Sequence, residues 1–215
     1  MQVLLDNLPT LLRGFRQTLY LTAVSAAFAL VLGTLLASMR VSPIPTLRAA
    51  GAAYVNVVRN TPLTLVFVFM LFGLPRLDLG VPPFQAAVLA LGLYTAAFVC
   101  EAVRSGVNAV PVGQAEASRA VGLTFGSALR LVVLPQAIRS VLPPLGSIII
   151  ALAKNSAIAE FFGVSEATKV FDDLSRDNPD ALYALFIGVA VGYVIITLSI
   201  AAAFRWLEAR LVVLR

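Results

Sequence analysis

Three stretches of this chain, Gln17 to Met39, Leu79 to Cys100 and Ala181 to Phe204, each run for more than twenty residues without one ionised side chain. A soluble surface does not tolerate such runs, but a hydrocarbon layer about 30 Å thick asks for them, because about 20 apolar residues rising about 1.5 Å each are needed to cross it. Two further runs, Ala49 to Pro75 and Leu131 to Ala153, are interrupted only by Arg59 and Arg139. Charges so near the ends of a span can reach the interface along their alkyl stems. The sequence therefore predicts an all-α integral membrane protein with five helices, at roughly 15–39, 52–74, 84–104, 137–158 and 181–205, forming a single domain over residues 1–215. Composition agrees: 60% of the residues are hydrophobic and 13% charged, with the charges gathered between the neutral runs. No internal repeat and no low-complexity linker divides the chain.

An odd number of spans puts the termini on opposite sides. With the N-terminus outside, Arg40, Arg48, Arg59, Arg104, Arg119, Arg130, Arg205, Arg210 and Arg215 collect inside. Arg13, Arg16, Arg76, Lys154, Lys169 and Arg176 then lie outside, and Arg139 falls near the inner interface. The excess of inner basic residues selects this orientation under the positive-inside rule. Asp6 precedes any apolar run and no small-residue cleavage site is followed by a soluble mature domain, so the first span is expected to be retained.

Several chemistries are excluded by what the chain lacks. Histidine is absent, which removes histidine-based nucleophile triads and histidine metal sites. Cys100 is the single cysteine, so no disulfide or thiolate cluster can form within one chain. No Gly-x-x-x-x-Gly-Lys phosphate loop occurs, and the chain is not expected to hydrolyse ATP itself. The net charge of +5 resides in residues flanking the spans, without an aromatic-interleaved basic stripe, and does not point to nucleic acid.

Between the third and fourth spans lies a polar, small-residue segment, Gln114 to Pro135. Pro111 can open a helix, Gln114 to Val121 has the composition of one, and Gly122 is a natural stop. Glu116-Ala117-Ser118 is followed by three residues, Gly122, nine residues, Val132, one residue, and Leu134-Pro135. This pattern closely resembles the cytoplasmic loop of bacterial ABC importer permeases, Glu-Ala-Ala, three residues, Gly, nine residues, Ile, any, Leu-Pro. Ser118 and Val132 are the departures, and both preserve size. The resemblance implies a coupling helix at about 111–123 that docks on a separate ATPase subunit, with Gln114, Glu116, Ala117, Gly122, Leu134 and Pro135 as the coupling residues. An interfacial linker helix would also be rich in alanine with one Glu and one Arg, and it is the plainer reading.

Three other segments extend the resemblance to the polar amino acid branch of that family. Arg59-Asn60-Thr61-Pro62-Leu63 resembles its Arg-Gly-Thr-Pro-Leu, with Asn60 in place of Gly. Pro62 disfavours helix at Thr61, so it marks either the start of the span or a kink that frees carbonyls for a ligand. Glu101, Arg104 and Gly106 fall where the branch has Glu, Arg and Gly, and the two charges can pair on one helical face. Lys154-Asn155-Ser156 is similar to the family's Lys-x-Thr-Ser, and Glu160 follows. The resemblance makes Thr61, Pro62, Lys154, Asn155, Ser156 and Glu160 candidates for the substrate pathway. Lys154 would meet a substrate carboxylate or only reach the outer headgroups; Glu160 in a shared cavity would favour a cationic ligand, and otherwise is a surface carboxylate. The acidic stretch Glu166 to Asp180 reads as a solvated outer face where a binding protein could dock.

The resemblance implies a MetI-like type I ABC importer permease with no catalytic residues, no metal and no cofactor of its own, ATP and Mg being used by the partner ATPase. It further implies an extracytoplasmic amino acid binding protein, a second permease chain, identical or related, and a place in the bacterial cytoplasmic membrane among its lipids. The alternatives are a secondary transporter or channel subunit independent of ATP, in which Lys154 and Glu160 carry ion coupling, and an importer permease for another small solute.

Overall fold

The computed structural model describes residues 2–211 and is helical nearly throughout. A short helix α1 (Gln2–Asp6) leads into α2 (Leu8–Val41), which is followed by α3 (Pro45–Arg59), α4 (Leu63–Val68) and α5 (Pro83–Asn108). The chain continues through α6 (Val112–Ala120), α7 (Phe125–Ala128), α8 (Leu134–Asn155), α9 (Ala167–Asp177) and α10 (Leu182–Leu211). Among the described residues, four helical rods are long and apolar enough to cross a membrane: Leu8–Val41, Pro83–Asn108, Phe125–Phe162 and Pro179–Leu211. A bent pair, Pro45–Arg59 with Leu63–Leu77, makes a fifth if counted as one span.

That pair replaces the single helix expected over 52–74 with two, broken at Pro62, where a span start or a kink was expected. Its two halves meet at 102°. Pro62 has no N–H to donate and holds an extended ψ of 137°, so the helical ladder cannot pass through Thr61. The Thr61 hydroxyl instead donates to the Val57 carbonyl at 2.8 Å, closing the end of α3. Only Arg59, Asn60 and Thr61 interrupt the apolar residues on either side of this point, too short a break for hydropathy alone to divide the run into two.

Two Leu-Pro pairs produce the same local device. Phe69–Gly73 and Leu129–Val133 are both π turns, and each ends one residue before a Leu-Pro step, Leu74-Pro75 and Leu134-Pro135. A proline removes its own N–H and presses on the carbonyl four residues back, so widening the preceding turn keeps the rod continuous. The fourth span consequently begins at Phe125, a dozen residues before the expected 137, and a tighter 3₁₀ stretch, Ser156–Phe162, carries it onward from α8.

The core is built around α5, whose buried face is mostly small: Ala86, Ala87, Ala90, Gly92, Ala96, Ala97 and Ala102. Small side chains let helix backbones approach closely, the usual substitute for hydrophobic drive within a lipid layer. Opposite them on α2, Gly33 sits so near that an added Cβ would lie 2.6 Å from Val99 and 2.8 Å from the Ala96 carbonyl oxygen. One cluster joins Leu21, Phe67, Leu91, Ile149 and Leu152, and a second joins Ala29, Leu36, Val55, Val99 and Cys100. The rod containing α10 is the least buried of the four and presents Tyr183, Phe186, Ile187, Val194 and Ile195 outward.

The acidic stretch is not uniformly a solvated face. Glu166 is fully buried. It caps α9 by accepting from the backbone N–H groups of Thr168 at 2.8 Å and Lys169 at 3.0 Å. Its other oxygen accepts from the Tyr193 hydroxyl at 2.8 Å and from Thr18 at 3.2 Å, and the Thr18 oxygen accepts the Ala167 N–H at 3.1 Å. One carboxylate thus ties α2, α9 and α10 together. Of the remaining acids, Asp172 is half-buried and paired to Arg176 at 2.8 Å, while Asp173, Asp177 and Asp180 are exposed, Asp173 being paired to Lys169.

Candidate functional site

The segment 111–123 forms a single short helix with a defined stop. Pro111 stands just before the first turn of α6, with φ −57° and ψ 135°. At the other end Gly122 adopts φ 92°. Its N–H donates to the Arg119 carbonyl at 2.9 Å and the N–H of Leu123 donates to the Ser118 carbonyl at 3.1 Å, the paired closure that a left-handed glycine permits. A Cβ on Gly122 would meet nothing within 4 Å, so the glycine is required by its backbone angle and its surroundings are open. Thr124 then caps α7 by accepting from the Ser127 N–H at 3.3 Å.

The exposed side of this helix carries Gln114, Glu116 and Ala117, while Ser118 is buried and donates to the Ala115 carbonyl at 2.7 Å. Glu116 and Arg119 border a shallow cleft of about 210 Å³ completed by Ala115, Phe125, Ala128, Leu129 and Val133. Val112, Val121, Phe125 and Leu131 are exposed around it. Gln114, Glu116, Ala117 and Gly122 therefore share one exposed segment. Leu134 and Pro135 lie apart from it, at the π-to-α junction of the following rod.

The six pathway candidates divide among different places. Asn155 lines a cleft of about 340 Å³ between α5 and α8, with Tyr94, Thr95, Phe98, Ser147, Ile148, Ala151 and Leu152. Lys154, its neighbour, is exposed, whereas Ser156 is fully buried and donates to the Ala153 carbonyl at 2.8 Å. Thr61 borders a separate, apolar cleft with Tyr54, Leu65, Phe69 and Met70, and Pro62 is exposed at the bend. Glu160 borders a third cleft with Phe161, Lys169, Asp172 and Arg176, and one of its oxygens is buried with no hydrogen-bond partner among the described residues.

Sequence reasoning missed most of the α5–α8 cleft. Its signal was a helical stripe: Tyr94 and Phe98 are four apart on α5, and Ser147, Ala151 and Asn155 are four apart on α8. The two α5 rings pack with centroids 5.1 Å apart. Among the described residues, no carboxylate lines this cleft.

Below it, toward the end of α5, Glu101 receives more than the expected Arg104. Arg104 Nη2 lies 2.8 Å from Glu101 Oε2, Arg40 from the end of α2 bonds Oε1, and Arg59 from the end of α3 stands 3.7 Å from the same oxygen. The Arg59 guanidinium also lies over the ring of Phe98, 5.5 Å from its centroid. A single acid thus gathers cations from three helices separated by up to sixty-one residues in sequence.

Both the sequence and the overall fold are similar to those of known proteins. Residues 29–213 match the family model described as binding-protein-dependent transport system inner membrane component. The chain is 43% identical to the glutamate transport system permease protein GluC of Corynebacterium glutamicum, over 95% of each chain. It is 37% identical to the probable glutamine ABC transporter permease protein GlnM of Bacillus subtilis, over 97% of this chain and 96% of that one. Its fold superposes on the crystal structure of an amino acid ABC transporter with histidines at a TM-score of 0.89, with 31% identity and 96% of each chain covered. It also superposes on an inward-facing MetNI methionine ABC transporter at 0.77, with 26% identity over 94% of this chain and 96% of that one. The family likeness extends well beyond the segment from Glu116 to Pro135, over nearly all of the chain, and the ATP-independent alternative finds no relative among these. The chain belongs to the family of inner membrane components of binding-protein-dependent transport systems, and has the MetI-like fold of ABC importer permeases.

Proposed function

We propose that this chain forms the membrane pathway of an ATP-driven importer for acidic amino acids or their amides, and couples that pathway to a separate ATPase through α6. The observation that carries the cargo assignment is the cleft between α5 and α8. It offers hydroxyl and amide groups from Tyr94, Thr95, Ser147 and Asn155 beside aromatic and aliphatic walls, with no carboxylate among the described residues to attract a cationic side chain. Glu160, the residue that pulled the sequence reading toward basic cargo, borders a different cleft. The glutamate and glutamine systems named for the two relatives above point the same way.

Coupling rests on Gln114, Glu116, Ala117 and Gly122, which occupy an exposed segment ending in an open surface suited to a groove on another subunit. Leu134 and Pro135 act at one remove, by setting the π turn on which α6 packs. With the N-terminus outside, that segment faces the cytoplasm, and the acids on the outer side of α9 offer basic residues of an extracytoplasmic binding protein a complementary surface. Lys154, exposed beside the cleft, supplies a cation on the route; a second permease chain completes the pathway.

The test is uptake of a labelled amino acid panel into liposomes containing this chain, its ATPase and any second permease, with binding protein outside and ATP inside or omitted. Uptake of glutamate or glutamine that needs both ATP and binding protein supports the proposal. Gradient-driven uptake by this chain alone contradicts it.

A further inference from the structure

The Glu101 cluster is unbalanced. Three guanidiniums meet one carboxylate, leaving two positive charges over. Each guanidinium brings five N–H donors, and a carboxylate has about four lone-pair sites, so donors are left without acceptors. Arg104 Nε is one of them: it is buried with no hydrogen-bond partner among the described residues. A partly buried excess of cations is costly unless a second anion visits.

The three arginines are not equivalent. The side chain of Arg40 is 16% exposed and that of Arg104 34%, and both contact Glu101 at bonding distance, whereas Arg59 is 46% exposed and its nearest nitrogen stands 3.7 Å from Glu101. That separation exceeds hydrogen-bond length. Arg59 is therefore the one held most loosely, and it lies over Phe98, a wall of the α5–α8 cleft. It also closes α3 immediately before the 102° bend, where its backbone is joined to a segment of different direction.

We infer that Arg59 is a specificity-determining residue, whose guanidinium leaves Glu101 to take the side-chain carboxylate of an acidic amino acid in the cleft. The inference rests on the reading of that cleft as the cargo site. Arg40 and Arg104 keep Glu101 satisfied when Arg59 swings, so the exchange does not strip the half-buried carboxylate of partners. A bidentate guanidinium–carboxylate pair discriminates an acid from its amide, because the amide presents one acceptor and one donor to a group that only donates.

The test is equilibrium binding of labelled glutamate and glutamine to the complete transporter in detergent, without binding protein, comparing wild type with R59Q and R59K. Wild type is expected to favour glutamate by about tenfold, as a charge-assisted bond warrants. R59Q should lose that preference by weakening glutamate alone, and R59K should retain part of it. A parallel fall for both ligands in R59Q assigns Arg59 a merely structural role and overturns the inference. So does a wild type without preference whose thermal stability rises with phosphatidylglycerol while that of R59Q does not, since the spare charge then belongs to a lipid headgroup. ATP- and binding-protein-dependent uptake in the absence of any glutamate preference removes this assignment and leaves the importer standing; failure of every amino acid to bind or enter removes the cargo reading itself.

Discussion

Glu166 and Glu101 are both carboxylates that tie three helices together, and they are satisfied in opposite ways. Glu166 is fully buried among neutral donors, two backbone N–H groups and two hydroxyls, at the N-terminus of α9 where the helix dipole favours a negative charge. Every one of its bonds is made within the chain, so the tie is closed. Glu101 faces three arginines and is outnumbered, so the group it belongs to still has donors to offer. The difference separates a carboxylate that builds from one that keeps a functional group in waiting.

Substitutions can break this contrast. Glu101→Gln leaves three guanidiniums packed together without a counter-charge, and is expected to destabilise the fold by about 3 kcal/mol, read as a fall in melting temperature and in yield of inserted protein. Glu166→Gln keeps the shape but exchanges an acceptor for a donor opposite Thr18 and Tyr193. About 1–2 kcal/mol should be lost, and Tyr193→Phe added to that background should cost less than it does alone, since both changes act on one network. Asp173→Asn, on the exposed side of α9, should change stability by less than about 0.5 kcal/mol. If Glu166→Gln proved costlier than Glu101→Gln, the description of the Glu101 cluster as overcharged would be wrong.

Legibility in the sequence followed locality. The α6 segment was readable because its cap, its helix and its left-handed glycine are consecutive: Pro111, Glu116 to Ser118, and Gly122 each act on their immediate neighbours. The spans were readable as apolar runs, but their shapes were not. Pro62, legible as a kink or a span start, turned one apolar run into two directions, whereas Pro135 broke nothing, because the π turn before it absorbed the missing bond. The same residue type had opposite consequences according to whether the preceding turn could widen. The cleft was the least readable part, since Tyr94 and Phe98 meet Ser147 and Asn155 only after α5 and α8 pack, and a stripe of four-residue spacing in an apolar span looks like ordinary core. Glu166 was read as one more acid in an acidic run; only the approach of Thr18 and Tyr193 buries it.

The coupling role proposed for α6 falls on a surface that the fold does not need, and Gly122 isolates that role. Gly122→Val forces a β-branched residue into φ 92°, at a strain of about 1–2 kcal/mol in the closing turn of α6, while its side chain projects into open space and disturbs no packing. The most direct measurement is ATP-dependent uptake by the complete transporter carrying Gly122→Val, taken alongside cargo binding to the same preparation. Uptake is expected to be lost while the permease still inserts and still binds cargo; normal uptake would contradict the assignment of α6 as the coupling element.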